Sequence, residues 1–233
     1  EDDEKFRPAI SIIDGNFGWE QDKLSLRGLN LDIPKSCLTM VIGPVASGKS
    51  TLCKVLLGEV PVSRGQVIIS SSVCSCRIGY CDQTPYLTNT TIRASIIGSS
   101  AFNQGRYNEV IHAVMLEPDL SVLARGDETR IGSNGISLSG GQKQRLSMAR
   151  ALYIDSDFLV FDDVMKGLDA NTEEQVFHRV FGPGGLLRRR NTTAVLCTHA
   201  IRHLPYADYI VALGEGGTLV EQGTLPDLVS NRQ

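Results

Sequence analysis

The sequence predicts an α/β fold with a mostly parallel core sheet, an antiparallel β entry and a helical insertion. Three observations predict it. Phe158-Leu159-Val160-Phe161 and Thr193-Ala194-Val195-Leu196-Cys197 are continuous apolar runs, as strands covered on both faces require. Helical stretches precede and follow each run. A further run, Leu38-Thr39-Met40-Val41-Ile42, ends at Gly43 and reads as a buried strand feeding a loop.

The remaining elements follow in order. Ile10, Ile12 and Phe17 open a β segment. Leu29, Leu31 and Ile33 alternate with polar residues, as a half-buried strand does. Lys49 to Leu57 reads as a helix with Leu52, Val55 and Leu56 on one face. Gln66 to Ile69 and Ile78 to Cys81 read as short strands. Helical spacing fills about 91 to 123, through Ile92, Ile96 and Ile97 and then Val110, Ile111 and Val114. Tyr209 to Leu213 and Thr218 to Val220 read as a terminal hairpin around Gly214, Gly216 and Gly217. Two charge runs, Glu1 to Lys5 and Arg188-Arg189-Arg190, read as a solvated linker end and a solvated helix end.

Composition narrows the function. A chain of 233 residues buries a substantial core without staples. Its net charge of -3 argues against a nucleic-acid-binding face, whose footprint is basic. Six cysteines stand in mostly apolar context with no disulfide spacing and no signal peptide, so reduced intracellular thiols are expected. Cys74, Cys76 and Cys81 lack the paired spacing of a zinc site. No apolar run reaches the ~18 residues of a membrane span.

The chemistry begins at Gly43-Pro44-Val45-Ala46-Ser47-Gly48-Lys49-Ser50, with Thr51 next. This fits G-x-x-x-x-G-K-[ST], and it lies between an apolar strand and a helix, the context that gives the motif meaning. Glycines let the backbone wrap so that several N–H groups aim at phosphate oxygens. The helix that starts here adds its positive end. Lys49 is expected to reach the β- and γ-phosphates, and Ser50 to place its hydroxyl on Mg²⁺. Asp162 closes the Phe158 strand and is the expected second metal residue, acting through a water shell.

Leu138-Ser139-Gly140-Gly141-Gln142 then opens another helix. Two glycines and a serine at a helix N-terminus form a second anion site. This run resembles the signature motif of ABC ATPases, and the other motifs fall in that family's order. Gln83, in Tyr80-Cys81-Asp82-Gln83, resembles the Q-loop residue that ligates Mg²⁺ and senses the γ-phosphate. Gly167-Leu168-Asp169 resembles the D-loop. His199 resembles the switch histidine, and Trp19 the aromatic residue that stacks on adenine. The resemblance spans about 10 to 229 and implies the ABC ATPase fold. That is a P-loop NTPase core with an antiparallel β subdomain and a helical subdomain over about 91–151, in one nucleotide-binding domain over 1–233.

The resemblance implies ATP and Mg²⁺ as cofactors and ATP hydrolysis as the activity. It implies a second nucleotide-binding domain as partner, packed head to tail so that Ser139, Gly140, Gly141 and Gln142 complete the partner's site. It also implies transmembrane domains, a place on the cytoplasmic face of a membrane, and transport as the outcome. A soluble ABC protein of DNA repair or translation fits less well, because long coiled-coil insertions are absent and the chain is acidic.

One position departs from the pattern. Asp163 stands where the family carries a glutamate that polarises the attacking water. It is one methylene shorter, and a base must lie within about 2.6–3.2 Å of its water or act through another. The Asp162-Asp163 pair, the short stretch from the phosphate loop to Gln83, and Gly132-Ser133-Asn134-Gly135-Ile136-Ser137-Leu138 resemble the first nucleotide-binding domain of the C subfamily, the multidrug-resistance-associated transporters. Two expectations follow from this: a slow ATPase motor, or a regulatory ATP-binding module whose partner does the chemistry.

Overall fold

The computed structural model describes residues 8–20, 23–70, 73, 78–133 and 137–230. The charge run Glu1 to Lys5, the thiols Cys74 and Cys76, and Asn134 to Ile136 of the run before the signature lie outside the described residues.

In chain order the strands are β1 (Pro8–Phe17), β2 (Leu26–Pro34), β3 (Leu38–Ile42), β4 (Val62–Ile69), β5 (Ile78–Cys81), β6 (Phe158–Asp162), β7 (Thr193–Cys197), β8 (Tyr209–Leu213) and β9 (Leu219–Gly223). The helices are α1 (Lys49–Leu56), α2 (Ile92–Ile97), α3 (Gln104–Ala113), α4 (Glu117–Val122), α5 (Gly140–Tyr153), α6 (Ala170–Val180), α7 (Leu186–Arg189) and α8 (Leu225–Ser230). The α/β class expected from the sequence is the class observed. Among the described residues, no helix is long and apolar enough to cross a membrane. The chain divides into two compact units, Glu1–Ile78 with Asp157–Asp163 and Asn191–Gln233, and Gly79–Ser156 with Val164–Arg190.

The first unit holds both β layers. Strands β2, β1 and β4 form an antiparallel sheet in that order. The alternation read in the sequence appears as burial of Leu29, Leu31 and Ile33 beneath exposed partners. Strand β4 begins at Val62, earlier than the Gln66 start that the sequence suggests. Its residues are almost all exposed, so no burial alternation marks its first half. The parallel strands run in the order β6-β7-β3-β8, with β9 antiparallel on β8. Every residue of β6 and β7 is buried, which is why both runs are uninterrupted and apolar.

The second unit is helical around Tyr107, Val110, Leu146, Tyr153, Phe177 and Phe181, all buried. Several polar groups inside it are paired. The Tyr153 hydroxyl donates to the Ala101 carbonyl at 2.8 Å and accepts from the Asn103 amide at 2.7 Å. Arg93 on α2 forks onto Asp127 with bonds of 2.9 and 3.1 Å. Thr91, Asn103 and Asp169 cap α2, α3 and α6 through their side chains. Asp169, the D-loop carboxylate of the sequence reading, thus starts a helix. Its bonds to Thr172 hold its carboxyl below the usual carboxylate range.

The run Arg188-Arg189-Arg190 is more than a solvated helix end. Arg189 and Arg190 grip the two carboxylate oxygens of Glu109 on α3, at 3.0 and 2.8 Å. Arg190 also donates to the Leu152 carbonyl at 2.8 Å. Burial alone would favour the neutral Glu109 acid and is the largest single influence. The bonds from Arg190 and Arg189 together outweigh it and hold the carboxyl below its ordinary value. A depressed native pKa stabilises the fold fully above the unfolded carboxylate range, and that contribution fades as pH falls through the native value. Glu109→Gln is therefore expected to lower the urea midpoint at pH 7, and the gap from wild type to narrow as pH falls below the ordinary carboxylate range. A gap that persists in acid would mean that the clamp acts by packing rather than charge.

Candidate functional site

The first unit gathers its chemistry at the C-terminal ends of the parallel strands, the edge where α/β sheets receive ligands. Strand β3 runs into the loop at Gly43. Gly48 closes the loop with φ 90°, and a Cβ there would stand 2.6 Å from the Leu26 Cδ2 and 3.0 Å from the Ser25 carbonyl. Glycine is required twice over, by backbone sign and by space. Ala46 also takes a left-handed backbone, φ 65°, without glycine's freedom.

Helix α1 starts at Lys49 with no side-chain cap and no acidic residue in its first turn. A helix start of this kind can receive an anion. The Lys49 ammonium, 7% exposed, folds back into the loop. It donates to the Pro44 carbonyl at 2.8 Å and the Gly43 carbonyl at 2.9 Å, with the Ser47 hydroxyl at 3.5 Å. Pro44, Val45, Ala46 and Ser50 are exposed along the rim, Gly43 and Thr51 are half-buried, and Ser47 is buried.

The carboxylates stand on the same edge. Asp162 ends β6, 4% exposed, level with Cys197 at the end of β7. Asp163 follows with φ 46°, its amide donating to the Cys197 carbonyl at 2.9 Å. Aspartate tolerates this left-handed region better than most residues with a Cβ. The shorter acid at this position therefore matches the backbone it sits on. His199 lies exposed two residues past β7, and the intervening Thr198 amide donates to the Val41 carbonyl at 3.0 Å. That bond places the histidine loop beside the strand that feeds the phosphate loop.

Trp19 is 59% exposed, so it is no core residue. It follows Phe17, whose carbonyl accepts from the Ser25 amide at 2.8 Å, and Ser25 and Leu26 lie against Gly48. The indole thus projects from the turn that backs the loop.

Sequence reasoning missed a thiol pair under α1. The Cys53 and Cys197 sulfurs lie 3.2 Å apart, both fully buried, and Cys197 also reaches the Lys49 carbonyl at 3.7 Å. The bond to Cys197, then burial, pushes the Cys53 thiol well above its ordinary value, which keeps that thiol protonated. With Asp162, their ligand atoms fall within 4.8 Å of one another. The residues stand 144 positions apart, and nothing local in the sequence pairs them.

In the second unit, Gln83 is half-buried after β5. The backbone before it is held by Gln144, which donates to the Asp82 carbonyl at 3.3 Å. The signature run starts α5 with Ser139 as its cap. The Gln142 amide nitrogen of the backbone donates to the Ser139 hydroxyl at 3.2 Å, and the Ser139 backbone amide donates to the Gln142 Oε1 at 2.9 Å. This is a capping box. Ser139 and Gly140 are exposed, and among the described residues nothing lies within 4 Å of where a Gly140 Cβ would be. The Gln142 side chain is turned inward, its Nε2 donating to the Asp119 carboxylate at 2.8 Å. Asp119 was not legible from the sequence as part of this motif.

A strand-loop-helix phosphate cradle, paired carboxylates at its strand edge and a glycine-opened signature helix define an ATP-binding domain of the ABC class. The chain belongs to the ABC transporter family, whose model matches residues 26–166. It is 58% identical over 222 residues to the ABC transporter FGM5 of Gibberella zeae, covering 95% of this chain and 15% of that protein. It is 57% identical over 225 residues to the ABC-type transporter braE of Annulohypoxylon truncatum, covering 97% of this chain and 15% of that protein. It is also 45% identical over 224 residues to the ABC multidrug transporter B of Aspergillus fumigatus, covering 96% and 15%. The chain thus spans about 15% of the length of these relatives.

Ala46→Gly is expected to be neutral or to stabilise by up to about 1.6 kcal/mol. It relieves about 1–2 kcal/mol of left-handed strain and adds about 0.4–1 kcal/mol of unfolded-state freedom. Gly48→Ala acts in the opposite sense and is expected to destabilise by more than that. Urea midpoints of both variants decide the signs. Ser139→Ala is expected to cost about 1 kcal/mol through loss of the cap. An unchanged midpoint would mean that Gln142 and Asp119 hold the helix start without it.

Proposed function

We propose that this chain is a single nucleotide-binding domain over 1–233, comprising both compact units with a helical subdomain over about 91–151. In this reading it binds ATP with Mg²⁺, closes head to tail on a second such domain, and hydrolyses ATP slowly. Movement of the pair drives attached transmembrane domains from the cytoplasmic face of a membrane, carrying a substrate across it. The Lys49 ammonium is the single observation that carries the reading. It is held by loop carbonyls at the end of an uncapped helix, where phosphate oxygens would take over its bonds.

The residues divide the work. The backbone from Gly43 to Ser50 cradles phosphates, and Thr51 follows in the first turn of α1. The donors that would hold Mg²⁺ are hard oxygens, the exposed Ser50 hydroxyl, the Asp162 carboxylate and the Gln83 amide, and this oxygen set suits that ion. When bound there, Mg²⁺ supplies charge neutralisation on the phosphates. Trp19 offers an indole face to adenine, a contact of about 1–3 kcal/mol by analogy with base stacking. Asp163 orients the attacking water and His199 meets the γ-phosphate. Ser139, Gly140, Gly141 and Gln142 complete the partner domain's site.

Asp163 supports a slow site and a kinship with the first nucleotide-binding domains of C-subfamily transporters. It also favours a second reading, a regulatory module whose ATP occupancy assembles the partner's active site. Positioning dominates phosphoryl transfer, so one missing methylene slows it greatly.

The discriminating experiment is phosphate release from Mg·ATP, for wild type, Asp163→Glu and Lys49→Ala. Lys49→Ala is expected to abolish turnover. Asp163→Glu is expected to raise turnover at least tenfold with ATP affinity unchanged. It should also cost about 1 kcal/mol of stability, because glutamate suits the left-handed backbone less well. If wild type already outpaces the Lys49→Ala blank and glutamate adds nothing, Asp163 is a competent base and the slow-site reading falls.

A further inference from the structure

The signature helix does not hold its own start alone. Asp119 sits in the first turn of α4, 23 residues before Gln142. One carboxylate oxygen accepts from the Gln142 Nε2 at 2.8 Å. The other accepts from the Arg145 Nη1 at 2.7 Å. The same Arg145 nitrogen donates to the Met115 carbonyl, in the left-handed turn that joins α3 to α4. Arg145 and Asp119 are mostly buried side chains, 12% and 23% exposed. Solvent competes with this pair less than with a surface ion pair.

The consequence lies in the direction of one amide. Gln142 has an oxygen end and a nitrogen end. Asp119 accepts only, so it takes the nitrogen end. The oxygen end is thereby turned to the Ser139 backbone amide, where it accepts at 2.9 Å. The reversed amide would set two donors against each other at Ser139 and two acceptors against each other at Asp119. With the box closed in this sense, the Ser139 Oγ accepts from the Gln142 backbone amide, and its hydroxyl hydrogen is left to donate. Ser139 and Gly140 are exposed at that point, and among the described residues nothing lies where a Gly140 side chain would project.

We infer that Asp119 is a positioning residue for the signature anion site, fixing the Gln142 amide so that Ser139 presents its hydroxyl hydrogen and the helix start to a phosphate. It touches no nucleotide and acts through Gln142. The inference rests on the proposed role of Ser139 to Gln142 in completing a partner's ATP site. It adds the residue that sets the geometry of that site, and it ties the site to α4 and the turn at Met115.

The test is a double-mutant cycle in the parent transporter, with Ser139→Ala, Asp119→Ala and the double variant, read as ATP turnover and as KM for ATP. Asp119→Asn, which keeps an acceptor oxygen for Gln142 but turns an amide NH₂ toward the Arg145 donor, separates the Gln142 contact from the Arg145 contact at nearly constant shape. Thermal melts accompany each variant. Expected are at least a tenfold fall in turnover for Ser139→Ala and for Asp119→Ala, and a double variant no slower than Ser139→Ala alone. Asp119→Asn, which keeps the oxygen for Gln142, should fall less than Asp119→Ala, and binding of a fluorescent ATP analogue to the phosphate loop of this chain should be unchanged throughout. A merely structural Asp119 would give effects that multiply, would weaken analogue binding in step with the melts, or would leave turnover untouched. Any of these overturns the inference while the Ser139 result stands. If Ser139→Ala itself turns over like wild type, the signature run is no anion site, and the inference falls with that reading.

Discussion

The backbone from Gly43 to Lys49 must wrap tightly enough to aim its N–H groups inward, and the first unit is built around that wrap. Strand β3 delivers the chain to it, buried between β7 and β8. Leu26 and Ser25 close against Gly48 and leave no room for a side chain there. The Lys49 ammonium spans the loop from inside, bonded to the Gly43 and Pro44 carbonyls. A buried ammonium without such bonds would be costly. The loop carbonyls keep it satisfied.

The strand edge extends the same logic. Asp162, Asp163 and His199 come from separate runs of sequence, but parallel pairing brings β6 and β7 to the same level. The bond from the Asp163 amide to the Cys197 carbonyl holds the aspartate in its left-handed turn. The thiols of Cys53 and Cys197 pack beneath, giving α1 a dry seat on β7. A kinetic weakness of Asp163 would arise from side-chain length, since its backbone is well held.

The second unit orders a different helix start by different means. Helix α1 starts without a side-chain cap, whereas α5 carries a full capping box. Its box is braced from outside by Asp119 and Arg145. Glu109 with Arg189 and Arg190, and Arg93 with Asp127, tie the surrounding helices together. Each is a fork on a carboxylate, a geometry that fixes direction as well as distance.

The sequence by itself determined the class, the strands of the core and the two helix-start motifs. Short apolar runs rich in β-branched and aromatic residues read as buried strands, and a glycine-lysine loop between strand and helix has one principal use. Its reach was shorter wherever burial gave no period. The exposed first half of β4 was invisible for that reason, and the arginine run looked solvated because its partner Glu109 lies some 80 residues away. Trp19 could be named, but only the fold decided that its indole faces outward. Tertiary structure alone paired Cys53 with Cys197, gave Asp163 its left-handed turn and set Asp119 against Gln142. These depend on which surfaces meet after folding. Local spacing records the periodicity of a chain, and it holds no record of partners brought together across 144 or 23 residues.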